Sequence, residues 1–220
     1  MTSSENSAKT LGDIIKKKKF VIPMYQRNYK WNTSVVIKLV DDILDCYNRS
    51  KKENNIQISK SLGLLTLYKK DEKDTTYYVI DGQQRFTTLS ILLSVLHTNA
   101  ESNIDLEFER DKSVCKKRRK AITGECPDEC PDIRLDKCLN KCTDVNRINR
   151  NKEAICNKLE NNVNAGEYDK IAKFILNNVI MLCSIVNEQP VEEFMNLNAY
   201  KTAFSISDHI RAIKMTLLAI

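Results

Sequence analysis

Apolar and polar positions along the chain alternate between two rhythms. Over residues 35–47 the apolar side chains Val36, Leu39, Val40, Ile43, Leu44 and Tyr47 recur at helical spacing, behind the N-cap candidates Asn32, Thr33 and Ser34. Residues 62–68 (LGLLTLY) and 77–80 are short apolar runs of strand type. The charged linker KKDEKDTT between them predicts a hairpin. Residues 86–97 are apolar nearly all round and predict a buried helix. Short strands are predicted over 20–22, where Pro23 ends the run, and over the alternating 104–108. Helices are predicted over 11–18, 151–162, 168–176, 191–198 and 207–220, and a strand over 177–186.

This mixture predicts an α/β (α+β) domain. Residues 1–10 read as a flexible lead and 50–60 as a polar loop. The core runs over 11–108 and resumes over 151–220. Between its two parts, residues 109–150 are charged and Cys-rich with little apolar periodicity, and read as an insertion. The chain ends on an apolar LLAI with no helix-stop signal, which predicts a longer natural protein.

Composition narrows the classes. With 42% hydrophobic residues in 220, a sizeable core is available and global disorder is excluded. The polar start MTSSENSAKTLGD has no apolar stretch of the signal-peptide kind. No run reaches the ~18 apolar residues of a membrane span. A soluble, cytoplasmic protein with no membrane partner is expected. The net charge of +6 is mild and gathers at residues 16–19 and 116–120 (KKRRK). It permits a polyanion partner without requiring one.

Two polar segments carry the candidate chemistry. In "YVIDGQQRFTTL", a strand-like run stops at Asp81-Gly82, and Gln83, Gln84 and Arg85 precede the apolar helix. A strand, a glycine turn and a helix start together present free backbone N–H groups and the positive end of the helix dipole, a geometry that favours phosphate. Arg85 adds a bidentate cation, Gly82 permits close approach, and Thr87 and Thr88 cap or donate. Asp81 does not suit simple anion binding. A carboxylate beside phosphates points to a bridging Mg²⁺ or to a base for water. Gln83 and Gln84 suit orienting a water or reading a base edge. A plain turn with Arg85 paired to Asp81 fits the same residues. The second segment, "IPMYQRNYKW", sets Tyr25, Tyr29 and the chain's only Trp, Trp31, around Gln26 and Arg27. Such a group suits base stacking with a cation on phosphate, and equally an aromatic corner closing a small core.

Taken together, "IPMYQRNYKW" and, about fifty residues later, "DGQQRFTTL" resemble the DUF262 family, the N-terminal domain of GmrSD-type, modification-dependent restriction proteins. Residues 39–44 (LVDDIL), 62–67 (LGLLTL, like the family's "LGSIVL") and 194–211 (FMNLN…FSISDHIR, like "FxxiNsrGxxLsxxDLIK") extend the likeness to about 11–108 and 170–220. The chain departs from the pattern where Lys201 stands in place of a glycine, Arg211 in place of a lysine, and in the Cys-rich insertion.

The resemblance implies a ParB/sulfiredoxin-like fold, a small mixed sheet surrounded by helices. It also implies NTP binding and hydrolysis coupled to DNA cleavage by a separate HNH-type nuclease domain. Carried over by position, Asp81, Gln83, Gln84 and Arg85 are the catalytic candidates, with Mg²⁺ on Asp81. Tyr25, Gln26, Arg27, Gly82, Arg85, Thr87, Asn198 and Asp208 are the nucleotide-binding candidates. A DNA-binding module that grips phosphate with the DGQQR loop, without turnover, is the rival expectation, and a nuclease within this domain another. Two histidines, His97 and His209, carry no HNH pattern, so a nuclease of that type is expected outside these residues.

Five of the eight cysteines fall between Cys115 and Cys142. Cys126, Cys130, Cys138 and Cys142 form two CxxxC pairs, a spacing that fits a Zn²⁺ site, two disulfides or free thiols in a helical hairpin. Cys46, Cys156 and Cys183 read as core or stray thiols.

Overall fold

The computed structural model describes residues 7–53, 58–71, 73–96, 103–109, 112–123, 143–186 and 190–198. Among them run the strands β1 (Ser7–Thr10), β2 (Lys19–Ile22), β3 (Lys60–Tyr68), β4 (Thr76–Asp81), β5 (Asp105–Phe108) and β6 (Val179–Val186). The helices are α1 (Leu11–Ile15), α2 (Thr33–Glu53), α3 (Gln83–Val95), α4 (Lys112–Thr123), α5 (Thr143–Asn162), α6 (Tyr168–Asn178) and α7 (Pro190–Asn198). The predicted helix over 207–220 lies outside the described residues.

One six-stranded mixed sheet, in the order β1-β6-β3-β4-β2-β5, organises the chain. β3 and β4 form the antiparallel hairpin that the sequence predicts, while β4, β2 and β5 run parallel. Residues 7–10 correct the expectation of a flexible lead. They pair antiparallel with β6 from Ser7↔Cys183 to Thr10↔Ile180, and Thr10 Oγ1 then accepts from Asp13 N–H as the cap of α1.

Strand alternation divides β4 between two apolar clusters. Tyr77 and Val79 belong to the main core with Phe20, Leu65, Leu67 and Phe86, whereas Tyr78 and Ile80 meet Tyr25 and Phe194 in a smaller one. The helical rhythm of α2 buries Val36, Leu39, Val40, Ile43, Leu44 and Tyr47, the six positions its spacing predicts. Asn32 caps it, its Oδ1 accepting from Val35 N–H at 3.1 Å. The flanks of the segment expected to be an insertion are helical: α4 and α5 pack against each other and on α3, and α5 also packs on α2.

The sheet carries two irregularities, both in the strands next to the start of α3. Thr66 stands opposite Asp81 but Leu67 opposite Val79, so Ile80 is an extra residue at the end of β4. Against β6 the register slips between Ser61 and Leu64, with Gly63 at φ +75°. Such bulges bend a strand and re-aim its side chains.

Candidate functional site

The sequence predicts α3 from Phe86, but the helix starts at Gln83. Gly82, at φ +92°, turns the chain directly out of β4, which leaves Gln83, Gln84 and Arg85 in the first turn. Gly82 is the N-cap and offers the first-turn N–H groups no side-chain acceptor. Gly82, Gln83 and Gln84 are buried, while Asp81 and Arg85 keep 19% and 25% of their side chains exposed. A half-open helix start of this kind is where a bound anion finds donors and favourable potential.

The two motifs, distant in sequence, are tied together by side-chain amides. Gln26 Nε2 donates to the carbonyls of Val79 (3.3 Å) and Ile80 (2.6 Å) at the end of β4. In return Gln83 Nε2 donates to the Arg27 carbonyl at 2.8 Å. Gln84 uses both ends of its amide. Its Oε1 accepts from the N–H groups of Lys30 (2.7 Å) and Trp31 (3.2 Å), and its Nε2 donates to Asn28 O at 3.2 Å. The loop after β2 is thus clamped onto the first turn of α3. From its other side α5 holds it: Asn151 donates to Trp31 O at 2.9 Å and to the Tyr29 hydroxyl at 3.3 Å, and Arg147 donates to Tyr29 O.

Arg85 takes a different position from the one its sequence context suggests. Its two terminal nitrogens donate to the carbonyls of Leu62 and Leu64, which flank the Gly63 bulge of β3. A Cβ at Gly63 would stand 2.8 Å from Arg85 Nη1. The Asp81 carboxylate lies 3.9 Å from Arg85 Nη2, at the limit of an ion pair. Thr87, expected at the ligand, lies inside α3 with 0% exposure, because its position faces the core rather than the open end of the helix. Asn198 closes α7, whose Phe194 packs on Tyr25 with ring centroids 5.1 Å apart. Asp208, Cys126, Cys130, Cys138 and Cys142 lie outside the described residues. Cys183 is buried in β6, and Cys46 and Cys156 are half-buried.

β4 has β3 on one side and β2 on the other, so Asp81 faces Thr66 on the β3 side of the α3 start. On the β2 side lies a narrow cleft, with essentially no room for a water molecule, between the loop after β2, the end of β5 and α4, lined by Gln26, Arg27, Asn28, Gln83, Phe108 and Arg118 among others. Arg27 is exposed, and its guanidinium has no bonded partner among the described residues. By sequence KKRRK reads as a surface cluster, yet Arg118 of that run is 3% exposed. Its place follows only from the pairing of α4 with α5, where it meets Asp144.

The family described as GmrSD restriction endonuclease, N-terminal domain, matches residues 11–215. The chain belongs to this family. No curated protein matches it. Membership in the GmrSD N-terminal family marks the chain as the N-terminal domain of a restriction-type protein. Among the described residues no helix is long and apolar enough to cross a membrane.

The two tyrosines of the GmrSD-family segment differ in a way that can be measured. The Tyr29 hydroxyl pairs with Thr88 Oγ1 at 2.8 Å, whereas the buried Tyr25 hydroxyl has no partner among the described residues. Tyr29→Phe is expected to lower stability by about 1–2 kcal/mol, and Tyr25→Phe to leave it unchanged or raise it by up to ~1 kcal/mol. Burial also raises the Tyr25 phenol above the ordinary value of 10.0. The fold keeps this proton where the unfolded chain releases it, so stability is full below about pH 10 and falls as pH rises beyond it. Urea unfolding at neutral pH and above pH 10 should show a shallower alkaline loss in Tyr25→Phe than in the wild type.

Proposed function

We propose that this domain binds a nucleoside triphosphate at the start of α3 and hydrolyses it in service of the restriction system. The observation that carries this reading is the buried, glycine-capped start of α3, which has a carboxylate on its β3 side and an exposed arginine on its β2 side. Backbone N–H groups of Gln83, Gln84 and Arg85 face the phosphate chain, and Arg27 neutralises it from the β2 side. Gln83 commits its Nε2 to the Arg27 carbonyl and orients the attacking water through its Oε1. Gln84 and Arg85 are positioning residues, since their polar atoms hold the loop after β2 and the β3 bulge.

The oxygens near Asp81 suit Mg²⁺. Across from this carboxylate the Thr66 hydroxyl is buried without a partner among the described residues, and Mg²⁺ takes one or two protein oxygens while phosphates and waters complete its shell. When bound, Mg²⁺ would offset charge that develops on the transferring phosphoryl group. The cleft encloses essentially no space for a water molecule, so the base is expected to lie outside it. Asn198 and Asp208, by their place in the third motif, are assigned to the nucleotide site on the resemblance alone.

Calorimetric titration of ATP, GTP, CTP and UTP with Mg²⁺ tests this reading. At least one nucleotide should bind, and Arg27→Ala should weaken it by about tenfold with the unfolding midpoint unchanged. If no nucleotide binds, and the chain instead takes up duplex DNA with a steep salt dependence, the phosphate-gripping module is correct and the NTP site is not.

A further inference from the structure

The described arginines divide into two groups. Arg49, Arg85, Arg118 and Arg119 each have a carboxylate within ion-pair distance: Glu53, Asp81, Asp144, and for Arg119 both Asp105 and Glu107. Arg27, Arg147 and Arg150 meet no carboxylate among the described residues. These three belong to one region of the surface. Arg27 lies on the loop after β2. Arg147 of α5 donates to Tyr29 O of the same loop at 3.4 Å. Arg150 follows on α5 and is exposed. Residues three apart on a helix are surface neighbours, with Cβ atoms about 5–6 Å apart. Lys30 of the loop is exposed beside them, and it too has no carboxylate partner among the described residues.

The lack of counter-charge is written in the sequence. Residues 20–40 contain no acidic side chain, and the first turn of α2, which starts where the loop ends, has none either. Over residues 143–152 of α5 the only carboxylate is Asp144, which is 3% exposed and committed to Arg118. Glu109 sits at the β2 end of the loop, where it accepts from Met24 N–H at 3.3 Å. Glu153 follows Arg150 on α5 but forms no ion pair with it. Cations gathered without counter-ions repel one another, and a bound polyanion relieves that cost. Exposed guanidinium groups suit phosphate oxygens, and the exposed amide and hydroxyl of Asn32 and Ser34 at the end of the loop are of the kind that meet a sugar–phosphate backbone.

We propose that the loop after β2 and the first half of α5 form a docking surface for the phosphodiester backbone of duplex DNA. Lys30, Arg147 and Arg150 contact phosphates, and Arg27 marks the border with the start of α3. A duplex carries about one charge per 1.7 Å of its axis, so cations spread over two elements meet several phosphates at once. The surface stands apart from the nucleotide reading, because the side chains of Lys30 and Arg150 bond nothing at the α3 start among the described residues. It also gives α5, a flank of the Cys-rich segment, a face that meets a partner. An acidic protein segment is the rival occupant.

Two double variants of the full chain separate a specific surface from net charge. Lys30→Gln with Arg150→Gln removes two cations from the surface. Lys52→Gln with Lys173→Gln removes the same charge from exposed positions at the far end of α2 and on α6. Exposed side chains of this kind are replaced with little effect on folding, so unfolding midpoints should match the wild type. Anisotropy of a labelled duplex of about 20 base pairs is followed between roughly 50 and 200 mM salt. The first pair should lose about tenfold or more in affinity, and its slope of log affinity against log salt should flatten by about 2. The second pair should stay within about threefold of the wild type. Equal losses in the two pairs, an unchanged slope, or a wild type that takes up no duplex would overturn the proposal. So would a polyglutamate peptide of matched charge that competes as well as the duplex. Inorganic tripolyphosphate affinity should move by less than about threefold in either pair, and a fall parallel to that for DNA would contradict a separate surface. A wild type that binds duplex but no NTP would overturn the nucleotide reading and leave this one standing.

Discussion

Arg85→Ala is expected to destabilise the domain by about 3 kcal/mol or more, because it deletes two charge-assisted hydrogen bonds and leaves the carbonyls of Leu62 and Leu64 unmet. These carbonyls flank a strand position that departs from the ladder, so the β3 neighbours have no simple means to satisfy them. The same lock predicts that Gly63→Ala is harmful. Its φ of +75° disfavours any side chain by roughly 1–2 kcal/mol, and the added methyl would press on Arg85 Nη1. Arg85→Lys should recover little, since an ammonium is a point charge and does not span two carbonyls. Thermal or urea unfolding decides the matter. A midpoint for Arg85→Ala equal to that of the wild type would mean that the arginine is available for a ligand and does not hold the sheet.

Gln84→Leu should have a still wider effect. One buried amide serves the N–H groups of Lys30 and Trp31 and the carbonyl of Asn28, so the substitution orphans three backbone groups at once. A loss of about 3–5 kcal/mol is expected, near the whole margin of a small domain. The loss should appear locally first. Amide exchange at Lys30 and Trp31 should accelerate before the global midpoint is reached, because this loop is held from the α3 side largely by that one side chain. Gln84→Glu is informative beside it: the carboxylate can still accept from the two N–H groups but turns an acceptor toward Asn28 O, so it should fall between leucine and wild type.

Elements that follow from local rhythm were legible in the sequence. The core face of α2 could be read residue by residue, and the β3–β4 hairpin followed from two apolar runs and a charged linker. The start of α3 was missed by three residues because Gln83, Gln84 and Arg85 look like loop chemistry. Their helicity depends on Gly82 turning tightly enough to begin the helix at once. The polar chemistry of the site was legible as residue types but not as partners. Gln83 and Gln84 read as open donors, yet their partners are backbone groups more than fifty positions earlier in the chain. The bulges left no local mark, because an extra residue exists only relative to the neighbouring strand. Arg118 sits inside a run of five basic residues, and only the contact of α4 with α5 distinguishes it from Arg119, which is half-buried and meets Asp105 and Glu107.

This distribution of partners gives the site a consistent division of labour. Gln26, Gln83, Gln84 and Arg85 cross-link β4, β3, α3 and the loop after β2 into one rigid frame. Asp81 lies on the β3 side of the helix start with 19% of its side chain exposed, and the exposed Arg27 lies on the β2 side. A frame of this kind holds donors in place before a ligand arrives, which is what stabilisation of a charged transition state requires.

Phosphate release from the NTP panel with Mg²⁺, by the wild type and by Asp81→Asn, addresses the central claim most directly. Asp81→Asn keeps the shape of the side chain and removes its charge at a position that is partly open to solvent. The account predicts turnover of at least one NTP by the wild type, lost by about a hundredfold or more in Asp81→Asn while the fold persists. Equal turnover by the two proteins, or none by a wild-type chain that binds nucleotide, would contradict it.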